Sequence, residues 1–134
     1  MSTSTVAPVR AARPFHLLPS LLITVGVAVV NLVVFWIASA AGVGMVTTMP
    51  VTAVMVALAS LVPLAVAVLA VWLIARGRPR LHRVAHWLGV IVAVLSMTAP
   101  LLLAHDITTG LCLAAMHLIA GVGWFLATRT PHAA

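Results

Sequence analysis

The sequence predicts an all-α membrane protein, a bundle of four transmembrane helices. Of its 134 residues, 64% are hydrophobic and only 6% are charged, whereas a soluble domain carries about 25% charged and about 45–50% apolar residues. The apolar residues also form long uncharged runs, and a helix of about 20 such residues crosses a bilayer core of roughly 30 Å. The runs are too long for barrel strands and lack their apolar/polar alternation.

Four runs have the required length, and they divide the chain into spans, loops and two tails. We expect helices that are consecutive in the sequence to pack antiparallel, because the connections between them are short. Residues 1–16 are predicted to be a mobile cytoplasmic tail and residues 129–134 a short one. The predicted spans are residues 17–41, 53–75, 84–104 and 108–128.

The connections contain helix-breaking and capping residues. Residues 76–83 read RGRPRLHR, in which Gly77 and Pro79 are expected to interrupt a helix. Asp106 can cap the fourth helix, because its carboxylate accepts hydrogen bonds from free backbone N–H groups. Within the spans, Pro63 and Pro100 each remove a backbone donor, which predicts local irregularity in the second and third helices.

The arginines predict the orientation of the protein. With four crossings, all seven basic residues fall on one side of the membrane: Arg10, Arg13, Arg76, Arg78, Arg80, Arg83 and Arg129. An excess of arginine marks the cytoplasmic side, so we expect both termini in the cytoplasm and the protein in the cell inner (plasma) membrane. Trp72, Trp87 and Trp124 lie near the same side and are expected to form an interfacial aromatic belt.

Polar side chains inside the spans are the candidate site, because an unpaired polar group in hydrocarbon costs several kcal/mol. At about 1.5 Å per residue, Asn31 lies about 3 Å outward of the midplane and His117 within about 2 Å of it. We therefore expect a hydrogen bond between Asn31 and His117, across the first and fourth helices. The predicted polar layer comprises Asn31, Ser60, Ser96, Thr98 and His117.

Two functions are consistent with this layer. In the first, the layer holds the helices together, and the protein is a non-enzymatic accessory or structural membrane subunit. In the second, it lines a pocket in a small transporter or ligand-binding protein, since an intramembrane ionisable residue suggests a functional site. An enzyme is not expected, because the single acid lies in a loop and cannot complete a Ser-His-Asp arrangement.

No cofactor, metal or nucleic acid is expected as a ligand. Haem needs two histidines at one depth, and His117 has no deep partner because His82 and His86 lie at the basic end of the third helix. Cys112 and Met116 are soft-metal ligands, but His117 is turned away from the face that they share. The arginines lie at the ends of apolar runs, unlike the groove-facing stripe of a nucleic-acid binder.

The expected partners are lipids and other membrane proteins. Arg76, Arg78, Arg80 and Arg83 form a polybasic segment next to the membrane, where each basic residue gains about 1 kcal/mol near an acidic leaflet. These arginines are candidate contacts for anionic lipids, and the alternative is that they only set the topology. A homo-oligomer or a membrane-protein partner is also consistent with so small a bundle.

Several short motifs recur in one known family. They are Pro63, the segment Arg83–Trp87 that follows the arginine loop, Ser96–Pro100, Asp106–Thr109 and Leu113–Leu118. In these motifs, which span about residues 18–128, the chain resembles a family of small four-helix actinobacterial membrane proteins classed only as a domain of unknown function. The resemblance implies the four-helix fold and a bacterial inner membrane. It implies no activity, because the family has none assigned.

Overall fold

The computed structural model describes residues 16–75 and 78–129, whose regular secondary structure is helical. The predicted tails therefore lie outside the described residues, apart from His16 and Arg129, as do Arg10, Arg13 and Arg76. The prediction of an all-α bundle with four spans is confirmed. The helices long and apolar enough to cross a membrane are Leu17–Ala40, Ala53–Ile74, Pro79–Leu103 and Ile107–Thr128.

The first two spans form a helical hairpin. Helix α1 covers Leu17–Ala40 and helix α2 covers Ala53–Ile74. The chain leaves α1 through Gly42, whose φ of 81° lies in the left-handed region that glycine adopts without strain. Thr52 caps α2, because its hydroxyl oxygen accepts a hydrogen bond of 3.3 Å from the Met55 N–H.

The second span contains a proline but no interruption. Helix α2 continues through Pro63, so the irregularity predicted there is not found in its secondary structure. Proline is tolerated in membrane helices because neighbouring groups can satisfy the backbone that it frees.

The third span begins with a proline. Helix α3 covers Pro79–Ser96, whereas the sequence predicts a start at residue 84 with Pro79 as a breaker. At the first position of a helix, proline lacks only an N–H that would have no partner there, and its fixed φ suits the helix. Arg80 and Arg83 consequently lie in the first turns of α3 and not in a loop.

A break near the far end divides this span. Helix α3 ends at Ser96 and a short helix α4 covers Thr98–Leu103, where the sequence predicts one helix. Pro100 has no N–H to donate to the Ser96 carbonyl. Met97 N–H instead donates to the Val94 carbonyl at 3.2 Å, a tighter turn than an α-helix makes. The irregularity that Pro100 predicts is therefore present.

The fourth span, helix α5, begins at its predicted cap and covers Ile107–Thr128. Asp106 Oδ1 accepts a hydrogen bond of 2.8 Å from the Thr109 N–H, and Oδ2 accepts one of 2.7 Å from the Thr109 hydroxyl. These bonds, the backbone bond first, lower the pKa of the Asp106 carboxyl because they stabilise its charged form.

Helix α5 contacts every other described helix. Helix α1 packs against α2 and α5, and α3 and α4 pack against α5. The contact between α2 and α3 is slight, so the prediction that consecutive helices are packing neighbours is wrong for this pair. The third span is accordingly the least covered: along an apolar stretch of 18 residues, 6% of its residues are buried inside the chain, against 33% for the first and fourth spans.

Two apolar clusters fill the space between the helices, one toward each end of the bundle. Asn31 of α1 and Ser60 of α2 lie between them along their helices. The cluster at the arginine end comprises Val27, Leu64, Val68, Val71, Trp124 and Ala127. The cluster at the other end comprises Phe35, Ala38, Met45, Val56 and Met116.

Candidate functional site

Asn31 links three helices through one side-chain amide. Its Nδ2 donates to the Ser60 hydroxyl of α2 at 2.8 Å and to the Met116 backbone carbonyl of α5 at 3.3 Å. The side chain is buried, with 2% of the residue exposed. We call Asn31, Ser60 and the Met116 carbonyl the Asn31 node.

The carbonyl oxygen of the same amide has no hydrogen-bond partner among the described residues. Asn31 Oδ1 is buried, and a buried acceptor left without a donor costs about 1–3 kcal/mol. Turning the amide over would not help, because it would face Oδ1 toward the Met116 carbonyl, another acceptor. Oδ1 is therefore the atom of the node that would gain most from an added donor.

His117 does not bond to Asn31. Its Nδ1 lies 2.8 Å from the Leu113 carbonyl, and a carbonyl only accepts, so Nδ1 carries the hydrogen of this bond. The predicted Asn31–His117 hydrogen bond is wrong because Asn31 reaches the carbonyl of Met116 instead. Successive helical residues point about 100° apart, and Gly121, one turn beyond His117, faces Ala93 of α3. His117 thus lies on the side of α5 toward α3.

Ser96 and Thr98 bond to their own part of the chain. The Ser96 hydroxyl donates to the Ala93 carbonyl at 2.8 Å, and the Thr98 hydroxyl donates to the Leu95 carbonyl at 2.7 Å. Such local bonds satisfy a hydroxyl without reaching another helix, and they often accompany a bend. Of the five residues in the predicted layer, hydrogen bonds join only Asn31 and Ser60 to each other.

A second polar network joins α3 to α5 at the arginine end. The Thr128 hydroxyl donates to the Trp124 carbonyl at 2.7 Å. Because its hydrogen is used there, the 2.7 Å contact between Thr128 Oγ1 and His86 Nδ1 has the imidazole as donor. Trp124 Nε1 donates to the His86 backbone carbonyl at 2.9 Å. We call His86, Trp124 and Thr128 the His86 network.

Glycine allows the two helices to approach at this network. A Cβ added at Gly89 would overlap the Trp124 indole, and one added at Gly121 would come within 2.9 Å of the Ala93 side chain. Small residues permit close helix packing in membranes. Trp124 is buried, with 7% exposed, so the prediction that it belongs to an interfacial belt is wrong; Trp87, 56% exposed, can face the interface.

This network was not predicted, although the sequence contains a signal for it. Residues spaced three and four apart share one face of a helix, and α3 and α5 each carry such a series of small and polar residues. The two series are His86, Gly89 and Ala93, and Gly121, Trp124 and Thr128.

The family of the chain follows from comparison with family models. Residues 11–134 match the model described as "Family of unknown function (DUF6069)". The chain belongs to the DUF6069 family. The predicted membership of a family of unknown function is confirmed, and the match is longer than residues 18–128, where the resemblance was found. Comparisons with the curated proteins and with the solved structures found no match.

The described arginine side chains of this DUF6069 protein lie at one end of the bundle. Arg78, Arg80, Arg83 and Arg129 are exposed there. The single acid of the sequence, Asp106, lies at the opposite end of α5 from Arg129. Among residues 16–75 and 78–129, no three His, Cys, Asp or Glu side chains come close enough to hold a metal ion.

Proposed function

We propose that this DUF6069 protein is a non-enzymatic accessory or structural protein of the plasma membrane. The observation that carries the proposal is how the polar side chains inside the spans are used. The Asn31 node joins α1, α2 and α5, and the His86 network joins α3 and α5. Interhelical hydrogen bonds average about 0.6 kcal/mol, so they select which helix faces meet more than they add stability.

The proposed topology has both termini in the cytoplasm. The distribution of arginines supports it, because basic residues in short loops are retained on the cytoplasmic side. We also propose that Arg76, Arg78, Arg80 and Arg83 contact anionic lipids, since a basic segment is attracted to the acidic inner leaflet. The weakly covered third span supports a second copy or another membrane protein as partner.

Native mass spectrometry of the protein extracted in mild detergent tests the accessory role. We expect a species that contains further copies or a second protein, and we expect the same species from the His117→Ala variant. The proposal would be contradicted if the natural protein co-purified with a small molecule of one defined mass and the His117→Ala variant did not.

A small transporter or ligand-binding protein is the second candidate, and Asn31 Oδ1 favours it. This buried acceptor would bind an N–H or O–H donor of a small polar ligand. Thr24 offers a matched control, because it is equally buried but donates to the Ser20 carbonyl of its own helix at 3.0 Å. This function predicts a small molecule retained by the natural sequence and by Thr24→Val but lost from Asn31→Leu. Equal retention by both variants would exclude Asn31 as its site.

A further inference from the structure

We propose a binding site for one anionic phospholipid on the exposed face of the α3–α5 pair, at the arginine end. Its phosphate binds between Arg83 and Arg129, next to the contacting rings of His86 and Phe125. The inference rests on the proposed contact with anionic lipids. That proposal assigns lipid contact to the whole arginine loop, whereas the site proposed here is formed by two helices. It also includes Arg129, which follows α5.

Close contacts next to the His86 network fix the position of α3 along the axis of α5. Gly89 lies against Trp124, and Ala93 lies against Gly121. In this antiparallel register Arg129 is level with position 84 by the first contact and with position 85 by the second. At about 1.5 Å per residue, Arg83 then lies at most about 3 Å nearer the end of the bundle than Arg129. Two guanidinium groups at nearly the same height can bind the same phosphate.

The two arginines also lie on the same flank of the helix pair. Arg83 precedes His86 by three residues and Arg129 follows Phe125 by four, so each arginine lies about one turn beyond an aromatic ring on the same face. The His86 and Phe125 rings are in contact, with centroids 5.0 Å apart. Because the rings meet on one flank of the pair, helical spacing places both arginines on that flank as well.

The surface below the arginines suits an acyl chain. Phe125 is 41% exposed, and Leu118 and Val122 are exposed at helical spacing on the same side of α5. The exposed Trp87 ring borders the site, its centroid 5.5 Å from that of His86. Tryptophan is typical of the headgroup level of a bilayer. The site therefore offers an apolar track that ends in two cations at the interface.

Charge complementarity favours an anionic lipid as the ligand of this site. The sequence contains one acid, Asp106, which precedes the 22-residue helix α5 and so lies about 33 Å from Arg129. Among residues 16–75 and 78–129, Asp106 is the one side-chain carboxylate and is too distant to pair with Arg83 or Arg129. A guanidinium binds phosphate with paired hydrogen bonds. The bond between His86 and Thr128 holds the imidazole beside the Phe125 ring, about one turn from each arginine.

The test measures retention of phosphatidylglycerol by the full chain in native mass spectrometry, with phosphatidylcholine as the neutral reference. Arg83→Gln and Arg129→Gln should each weaken retention of the anionic lipid by about tenfold, the effect of losing a hydrogen bond to a charged group. Arg78→Gln removes the same charge at the same end but lies five residues from Arg83, off its face, and should change retention less than about twofold.

Three outcomes would overturn the site. Equal losses in all three variants would show a diffuse contact and leave the general lipid contact intact. No loss in any variant would remove the general contact too. Displacement of the lipid by excess inorganic phosphate would assign the arginines to a soluble anion. Because the three arginines are exposed, thermal unfolding of the variants should match that of the natural sequence, which separates lost binding from lost folding.

Discussion

The amide of Asn31 helps to set the positions of three helices relative to one another along their axes. A shift of α1 along α5 by one residue would move Nδ2 by about 1.5 Å, enough to break its bond of 3.3 Å to the Met116 carbonyl. The bond of 2.8 Å to Ser60 places the same limit on α2. The two hydrogen bonds therefore help to specify the register of α1 against α2 and α5, in addition to the packing of the apolar side chains on either side.

The bond between Asn31 and Ser60 is testable by a double-mutant cycle. Asn31→Ala, Ser60→Ala and the double variant should give a coupling free energy of about 0.6 kcal/mol, the average for interhelical hydrogen bonds in a membrane protein. Reversible unfolding in mixed detergent measures it. A cycle of Asn31→Ala with Thr24→Val is the control, because Thr24 bonds within α1. The same coupling in both cycles would contradict the assigned bond.

The Asp106 cap predicts a dependence of stability on pH. The folded pKa is lowered from an ordinary value of 3.8, so the carboxylate contributes fully above that value and loses its contribution as the pH falls through the lowered pKa. Asp106→Asn keeps an acceptor for the Thr109 N–H but does not ionise. We expect the unfolding temperature of the natural sequence to fall more steeply below about pH 4 than that of the variant. Parallel curves would argue against the cap.

At the scale of the helices, the spans could be predicted from the sequence, but their neighbours could not. Lipid requires a long apolar helix wherever the chain crosses, so hydropathy locates Leu17–Ala40 and Ile107–Thr128 closely. Which helices touch depends on where small residues allow close approach. Gly89, Gly121 and Trp124 bring α3 to α5, and hydropathy does not distinguish such a face from one that contacts lipid.

The candidate site was predictable to the same limited extent. Depth alone places Asn31 and Ser60 in one layer, and they are bonded to each other. Depth does not give the direction of a side chain, and His117 bonds along its own helix. The position of His86 at the basic end of the third helix was predicted, but its hydrogen-bond partner was not, because Thr128 lies on a helix 42 positions away in sequence.

Substitution of glycine tests the packing of α3 on α5. Gly89→Ala should destabilise the fold by about 1–3 kcal/mol, because the added methyl group displaces the Trp124 indole from a packed position. Gly26→Ala is the matched control within a helix, since no atom lies within 4 Å of its added Cβ. It should be neutral or stabilising by up to about 1 kcal/mol through helix propensity. Similar effects of both changes on unfolding would refute the close contact.

For the whole molecule, the arrangement of charge predicts which parts are reachable from outside the cell. Thr48 and Arg78 are both exposed but lie at opposite ends of the bundle. In a chain whose Cys112 is replaced by Ala, Thr48→Cys should react with a membrane-impermeant maleimide in intact cells. Arg78→Cys should react only after the cells are opened, because the proposed topology places the basic end in the cytoplasm. The reverse pattern would contradict the proposed orientation.

The central position of α5 has a consequence for biosynthesis, because it is the last of the four spans to leave the ribosome. Helices α1 and α2 can pair as soon as both are inserted, whereas α3 makes little contact with either and packs on α5. We therefore expect α3 to remain a separate helix in the lipid until α5 is made, a state that independently inserted membrane helices can occupy before they associate. The contacts of α1, α3 and α4 with α5 can form only after α5 has been made.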